Sequence, residues 1–363
     1  MLLSGYYGFG NVGDEAILAS TIESLRQKEP DIEISVLSAN PRETSRTHAV
    51  ESYARMSLKE VVSAILSSDL IVFGGGSLLQ DDTSFRSLAY YLSIIFASRA
   101  LGKPVVIYAN GIGPIRSLAG RLLTRLALSL TKRVTVRDPE SEKLLKRMGV
   151  RKPVRVTADP AFLLSPSSPE RCDEILRDAG VSGESRIAWL ALRPGKAPDR
   201  FYSSFTPAIS LLRSRGYEPC LLVMQERDKE LVLVINGALS RNGQRPAPSV
   251  AGVSPRDALA LLQRGSFCLG MRLHTLILAA RGAVPFMGVE IDPKIGAFCR
   301  AAGCPVLPDP TQGGSINLTL ELERLMENRD QLELKLKEKL PLFRNLAEDN
   351  VDMVLSVLQG LTR

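Results

Sequence analysis

Short apolar runs alternate with helix-like stretches along nearly the whole chain, and most runs stop at glycine or at a polar residue. Residues 2–5, 33–37, 70–73, 105–109, 134–136 and 154–157 read as strands; residues 15–28, 87–98, 121–130 and 140–148 read as helices between them. Strand–helix units repeated at this spacing demand a parallel sheet with helices on both faces. After Ser165-Pro166-Ser167-Ser168-Pro169, which reads as the start of a linker, a second alternation begins. It has strands at 187–192, 219–224, 266–269 and 284–287, with helices at 258–263 and 275–281. A charged amphipathic helix at 321–340 and a last helix at 343–361 close the chain.

This order predicts an α/β protein of two Rossmann-like lobes facing across a cleft, the GT-B-like layout. The expected domains are 1–165, a linker at 166–185, a second domain at 186–340, and a C-terminal helix at 341–363 that crosses back to the first lobe. A length of 363 residues fits two domains better than one core, and 45% apolar with 23% charged residues is ordinary for a soluble globular chain. The five cysteines form no C-x-x-C pair, so buried, reduced thiols and a cytoplasmic location are expected. The chain opens directly with a strand, so no signal peptide is expected. The most apolar helix lies between Arg86 and Arg99, well short of the ~20 residues that span a bilayer.

Charge is concentrated. Residues 114–155 hold twelve Lys/Arg against three Asp/Glu, an excess larger than the +7 of the whole chain. The residues between the cations are Leu, Val and Ala rather than aromatics, which excludes a base-stacking nucleic-acid surface. The basic segment 116–155 instead fits an anionic membrane surface or a phosphorylated lipid, which would place the protein peripherally at the inner face of the cell membrane; the competing reading is a solvated basic face with no partner.

Gly8-Phe9-Gly10-Asn11-Val12-Gly13 matches G-x-G-x-x-G between a strand and a helix. The second strand, however, ends Leu37-Ser38-Ala39-Asn40 with no carboxylate for a ribose, and Asp14 and Glu15 would compete with a pyrophosphate for the helix N-terminus. A nicotinamide or flavin cofactor is therefore not expected. A loop binding sugar hydroxyls through Gly10, Asn11 and Asp14 fits better; its competitor is a tight turn with Asp14 as helix cap. Gln80 and Asp81, in the loop opened by Gly74-Gly75-Gly76, and Arg137, beside Asp138, add hydroxyl-binding groups, and 110–114 reads as a further strand-end loop.

The second half presents cations at its strand ends. Gly270-Met271-Arg272-Leu273-His274 joins a buried strand to a helix, Arg193-Pro194-Gly195-Lys196 follows residue 192, and Lys294 follows Asp292-Pro293. Ligands of open α/β sheets bind at strand carboxyl ends, and helix N-termini favour anions. With no metal-ligand spacing in the sequence, no metal is expected, and charge neutralisation falls to arginine and lysine. His48 lies in an expected loop and carries no assignment.

Taken together, residues 6–15, 74–81, Arg137-Asp138, Asp159-Pro160-Ala161-Phe162 and 270–274 resemble the polysaccharide pyruvyl transferase family, and look most similar to the CsaB-type enzymes that pyruvylate secondary cell-wall polymers. The resemblance implies a transferase that uses phosphoenolpyruvate to install a 4,6-O-ketal on a terminal β-N-acetylmannosamine of a lipid-diphosphate-linked disaccharide, releasing phosphate. The polymer would then anchor S-layer proteins through their SLH domains. It implies donor binding and catalysis by Arg272 and His274 and donor binding by Arg193; the strand-end reading adds Leu273 and Lys294 to the donor side and gives the acceptor side to Gly10, Asn11, Asp14, Gln80, Asp81 and Arg137. His274 would be the general acid, Arg272 would stabilise the departing phosphate, and Asp14, or second to it Asp81, would be the general base. The alternatives are a GT-B nucleotide-sugar glycosyltransferase and a non-catalytic module that binds anionic glycan.

Overall fold

The computed structural model describes residues 1–82, 84–195, 197–312 and 316–361. The chain divides into two compact units, Met1–Leu164 with Leu342–Arg363, and Ser165–Pro341. Both are α/β, and every strand pairing in each is parallel. Among the described residues no helix is long and apolar enough to cross a membrane.

The first unit contains β1 (Leu2–Ser4), β2 (Ser35–Ser38), β3 (Glu51–Ala54), β4 (Ile71–Phe73), β5 (Gly76–Leu79), β6 (Val105–Ile112), β7 (Arg133–Val136) and β8 (Val154–Val156). Their order is β3-β2-β1-β4-β6-β7-β8, with β5 also paired to β6. Because side chains alternate across a strand, the sheet feeds two cores. Leu2, Ile71, Phe73, Val105 and Ile107 face one cluster, completed by Val61 and Ile65 and by Leu88 and Leu92. Leu3, Val36, Val72, Val106 and Tyr108 face the other, completed by Leu18 and Leu25. Strand order reverses at β1/β4, the switch point where open α/β sheets place their ligands. The glycine loop after β1 and the Gly74-Gly75-Gly76 run after β4 both emerge there.

The second unit contains β9 (Arg186–Ala191), β10 (Tyr217–Leu222), β11 (Ser249–Val250), β12 (Gly265–Gly270), β13 (Phe286–Val289) and β14 (Val306–Leu307), ordered β11-β10-β9-β12-β13-β14. The Arg193 segment leaves β9 and the Arg272 segment leaves its neighbour β12, so both start from the reversal point of this sheet.

Several local expectations are corrected. Residues 169–178 are not linker but the helix Pro169–Asp178, with Ser168 as N-cap and proline at its start, a helix signature that reads as loop when only composition is weighed. His48 lies in the helix Pro41–His48, capped by Asn40, not in a loop. Residues 110–112 belong to β6, and residues 76–79 form β5, so two expected loops are partly strand. The last two helices break at Asn328, between Leu318–Glu327 and Arg329–Gln359, and the latter runs unbroken through Pro341. The helix expected to break near Pro341 stays intact because one lost amide bond is offset by what the rest of a 31-residue helix packs.

That helix docks on the first unit through Val351, Val354 and Leu355. Its register is set by Asn350, fully buried, whose Oδ1 accepts from the Thr135 hydroxyl at 2.7 Å and the Thr157 hydroxyl at 2.9 Å. Its amide donates to the Ala158 carbonyl at 3.2 Å.

Candidate functional site

In the second unit, β12 ends at Gly270, where a Cβ would meet Leu276 Cδ2 at 2.6 Å; glycine lets the following helix, Leu273–Arg281, begin against the strand end. Arg272 occupies the N-cap position in extended backbone, and Leu273 and His274 form the first turn, both half-buried. Arg272 Nε donates to Asp228 Oδ2 at 2.8 Å and its Nη2 to Oδ1 at 2.5 Å and to Gln225 Oε1 at 3.2 Å. Asp228 is itself buried and accepts the Gln225 amide at 3.1 Å. One edge of the guanidinium is thus locked by a bidentate pair, which fixes the group without neutralising its neighbours.

Those neighbours are cations. Arg193 has a buried Nε with no hydrogen-bond partner. Its guanidinium is pushed below its ordinary pKa, first by burial, then by the charges of Arg272 and Arg227; Asp292 and Asp228 oppose this. Arg227 Nη2 reaches the Pro194 carbonyl at 3.4 Å, and the Tyr202 hydroxyl holds the Arg193 carbonyl at 2.6 Å. Three guanidinium groups therefore crowd the carboxyl ends of β9 and β12. Lys294 is partly engaged: its Nζ lies 3.3 Å from Asp292 Oδ2, while Asp292 Oδ1 caps the helix Pro293–Ala302 through the Lys294 amide at 3.2 Å. Lys196 lies outside the described residues. Alongside, Gly195, Pro198, Arg200, Ile291 and Thr311 line an open cavity of about 630 Å³.

The first unit's edge is differently made. Asn11 is the N-cap of Val12–Lys28, accepting the Gly13 amide at 3.1 Å; the cap expected of Asp14 is Asn11's. Gly8 and Gly10 take positive φ of 79° and 67°, and a Cβ on Gly8 would strike Ser38 Oγ at 2.1 Å, so the loop needs glycine there on both counts. Gly10 is exposed at the loop tip. Asp14 lies beside the β5 turn, where a Cβ on Gly76 would sit 3.0 Å from its Oδ1. Gln80, half-buried, donates its main-chain N–H to the Leu78 carbonyl at 3.2 Å.

Two expected hydroxyl-binding groups are committed to the scaffold. Asp81 accepts the Arg116 amide at 2.7 Å, the Ser117 amide at 2.9 Å and the Ser117 hydroxyl at 2.7 Å. Burial would raise its pKa, but these donors outweigh burial and hold the carboxyl below its usual value. Arg137 is buried, paired through Nη1 with Asp159 Oδ2 at 2.7 Å, and Nη2 donates to Ser77 Oγ at 3.1 Å. Both read as tethers of the loops rather than as ligand contacts.

Sequence reasoning passed over three groups at these edges, Arg227, Asp228 and Arg55, and read a fourth, Glu15, only as a competitor of pyrophosphate. Arg227 and Asp228 lie in the short 3-10 helix Glu226–Asp228, a few residues past the end of β10, and placement after a strand was the signal that could have found them. Glu15 accepts the Gly8 amide at 2.8 Å, and its pKa is raised to about 7, first by burial and then by Asp14, against hydrogen bonds from Gly8 and Phe9. Arg55 follows β3, a strand not anticipated. Its guanidinium carbon lies 4.4 Å from the Tyr90 ring centroid and 5.0 Å from that of Phe9, which is itself stacked on Tyr6 at 4.0 Å.

A family model described as polysaccharide pyruvyl transferase matches residues 11–293, most of the chain and both units. The chain belongs to the polysaccharide pyruvyl transferase family. The amylovoran biosynthesis protein AmsJ of Erwinia amylovora is 19% identical, over 92% of this chain and 93% of AmsJ. Among solved structures, UDP-GlcNAc 2-epimerase from Neisseria meningitidis bound to UDP-GlcNAc superposes with a TM-score of 0.64 at 14% identity, covering 98% of this chain and 100% of the epimerase. A glycosyltransferase from Rickettsia africae gives 0.65 at 10% identity, covering 100% and 98%. At such identities the likeness establishes the two-lobed GT-B-like fold alone; an epimerase and a glycosyltransferase share it, so the chemistry must come from the site. This member of the family brings to that fold a guanidinium cluster in its second unit and a carboxylate-bearing glycine loop in its first.

Proposed function

We propose that this protein transfers pyruvate from phosphoenolpyruvate to two hydroxyls of a sugar, forming a cyclic ketal and releasing phosphate. The observation that carries the reading is the buried Nε of Arg193 with no partner, crowded by Arg227 and Arg272. Concentrated positive charge that no carboxylate fully offsets is suited to a small polyanion carrying phosphate and carboxylate. Membership of the pyruvyl transferase family supports the same donor chemistry.

In this reading Arg193 and Arg272 hold the donor's phosphate and carboxylate, with Lys294 and the Leu273 and His274 amides beside them. His274 protonates C3 of the enol, which makes C2 electrophilic. One acceptor hydroxyl, losing its proton to Asp14, attacks C2 and gives a tetrahedral phospho-ketal. The second hydroxyl then displaces phosphate at C2; the C–O bond to phosphate breaks, and its electron pair leaves with a group that the arginines stabilise. One hydroxyl proton replaces that placed on C3, and the other leaves with phosphate, so atoms and charge balance. Glycine-loop amides and Asn11, Gln80 and Asp14 line the acceptor subsite, with Asp81 and Arg137 holding its loops in shape.

The acceptor in this proposal is a terminal β-N-acetylmannosamine on a lipid-diphosphate-linked disaccharide, and the product a secondary cell-wall polymer unit of the CsaB type. The support is the resemblance of residues 6–15, 74–81 and 270–274 to that branch. Phosphate release from phosphoenolpyruvate, measured with and without the synthetic lipid-linked disaccharide, tests it. Acceptor-dependent release is expected. Thermal stabilisation by a nucleoside diphosphate sugar, with none by phosphoenolpyruvate, would overturn the donor assignment.

A further inference from the structure

The helix Leu118–Ser129 in the first unit leaves an apolar row in water. Leu118 is 81% exposed, Leu122 57%, Leu126 51%, and Leu130 just beyond the helix 39%. Four-residue spacing puts them along one face, while Thr124, Ala127 and Leu128 on the opposite face are buried. Scattered exposed leucines need no explanation, but a contiguous row does.

Beside the row, Leu122, Leu123 and Leu126 join Val150 and Pro153 in lining a groove of about 750 Å³, and Arg125, Arg151 and Lys152 are among its other lining residues. Lys152 donates to the Thr131 carbonyl. Burial lowers its pKa, and the charges of Arg133, Lys132 and Arg99 lower it further, so these cations form one crowded patch. Among the described residues Arg121, Arg125, Lys132, Arg133, Arg151 and Lys152 have no carboxylate within ion-pair distance. Five other cations of the basic segment are paired: Arg116 with Asp82, Lys143 with Glu140, Lys146 with Glu142, Arg155 with Asp349, and Arg137 with Asp159 inside the unit.

We infer that the exposed leucine row of this helix, with the cations around its groove, is the surface by which the first unit docks on an anionic lipid bilayer. Leucines enter the acyl region while Arg and Lys meet headgroups, the division of labour of an interfacial helix. A second copy of this chain is a poor occupant, because matching two such faces would press like charges together. The docked helix is also tied to the acceptor loop: Asp81 accepts from the Arg116 and Ser117 amides at its N-terminus. That tie gives docking a use in the proposed reaction on a lipid-linked sugar, and this role alone rests on that reading; the lipid surface itself does not.

The test is co-sedimentation of the full chain with vesicles of neutral phosphatidylcholine, or of phosphatidylcholine with 30% phosphatidylglycerol (roughly a bacterial anionic content). Binding to the anionic vesicles is expected, weakened by salt. Leu118→Ser/Leu122→Ser/Leu126→Ser should lower partitioning at least about tenfold, and Arg125→Glu/Arg151→Glu at least about fivefold. Both variants should keep phosphate release on a water-soluble acceptor analogue, which separates loss of docking from loss of the site. Equal partitioning to both vesicle types, unchanged binding in the leucine variant, or concentration-dependent self-association that the leucine variant abolishes would each overturn the inference.

Discussion

The two strand-end edges solve the same problem, polar groups near a sheet, in opposite ways. In the first unit the polar groups that hold the loops, the Asp14–Glu15 pair aside, are answered from within: Arg137 by Asp159 and Ser77, Asp81 by three donors, Asn11 by the Gly13 amide. In the second, one arginine is answered by Asp228 while Arg193 is left desolvated among like charges. An edge whose charges are internally balanced is a scaffold, and affinity for a ligand must come from hydroxyls, amides and shape. An edge left electrostatically unfavourable is completed by a counter-ion, so part of its binding energy for an anion is stored in the fold.

The largest expected effect attacks the balanced edge. Arg137→Met strips the partner from a carboxylate that is itself 3% exposed, and should cost about 3–5 kcal/mol of unfolding free energy in urea titrations. A loss below 1 kcal/mol would mean that Arg137 is not a tether, and would return it to the acceptor contacts first expected of it.

Next comes the unbalanced edge. His274→Ala should lower phosphate release at least about 10²-fold with little change in melting temperature. Arg272→Ala should match it in rate but also lose stability, because buried Asp228 is left uncompensated. A His274→Ala enzyme with near-normal turnover would remove the proton donor from the proposed chemistry.

A smaller effect is expected at the glycine loop. The Glu15 carboxyl titrates at about 7 in the fold against an ordinary value of 4.5, because burial and Asp14 disfavour its charge. A raised carboxyl pKa means stability fully present below about pH 4.5 and lost as pH rises through about 7. From pH 5 to 8 this group should cost the wild type on the order of 2 kcal/mol after allowance for partial exposure. Glu15→Gln keeps an oxygen for the Gly8 amide and carries no charge, so its stability should stay flatter across that window. Parallel pH profiles for the two proteins would show that the Asp14–Glu15 pair is not under this strain.

How much of this could be read in the sequence follows from range. The two sheets, their parallel sense and the cations after β9 and β12 are signalled locally, by apolar runs ending in glycine or charge. The partner of each charge is not local. Arg137 and Asp159 are 22 residues apart, Arg272 and Asp228 44, and Asn350 and Thr135 215. So Asp81 and Arg137 read as ligand groups although the fold had employed them already, and Arg227 went unread because it gains meaning only beside Arg193. Pro341 erred in the other direction: a strong local breaker was overruled by the packing of Val351 and Val354 and by the buried amide of Asn350.

Arg193→Met is the smallest change in energy and the most direct contrast with Arg137→Met. The same chemical swap is made at the same kind of position, a strand end. At Arg193 it removes a partly desolvated cation that Arg227 and Arg272 oppose, so the free protein should keep its stability or gain less than about 1 kcal/mol after solvent screening, where the first-unit variant loses several. The change should carry a cost in function, with the KM for phosphoenolpyruvate up about tenfold or more and a smaller change in kcat, since an initial charge contact is lost. Inorganic phosphate should raise the melting temperature of the wild type and lose most of that effect in the variant, by linkage to anion binding. Both arginine variants losing stability alike would mean that Arg193 is held by the fold as Arg137 is, and the contrast between a balanced and an unbalanced edge would fall.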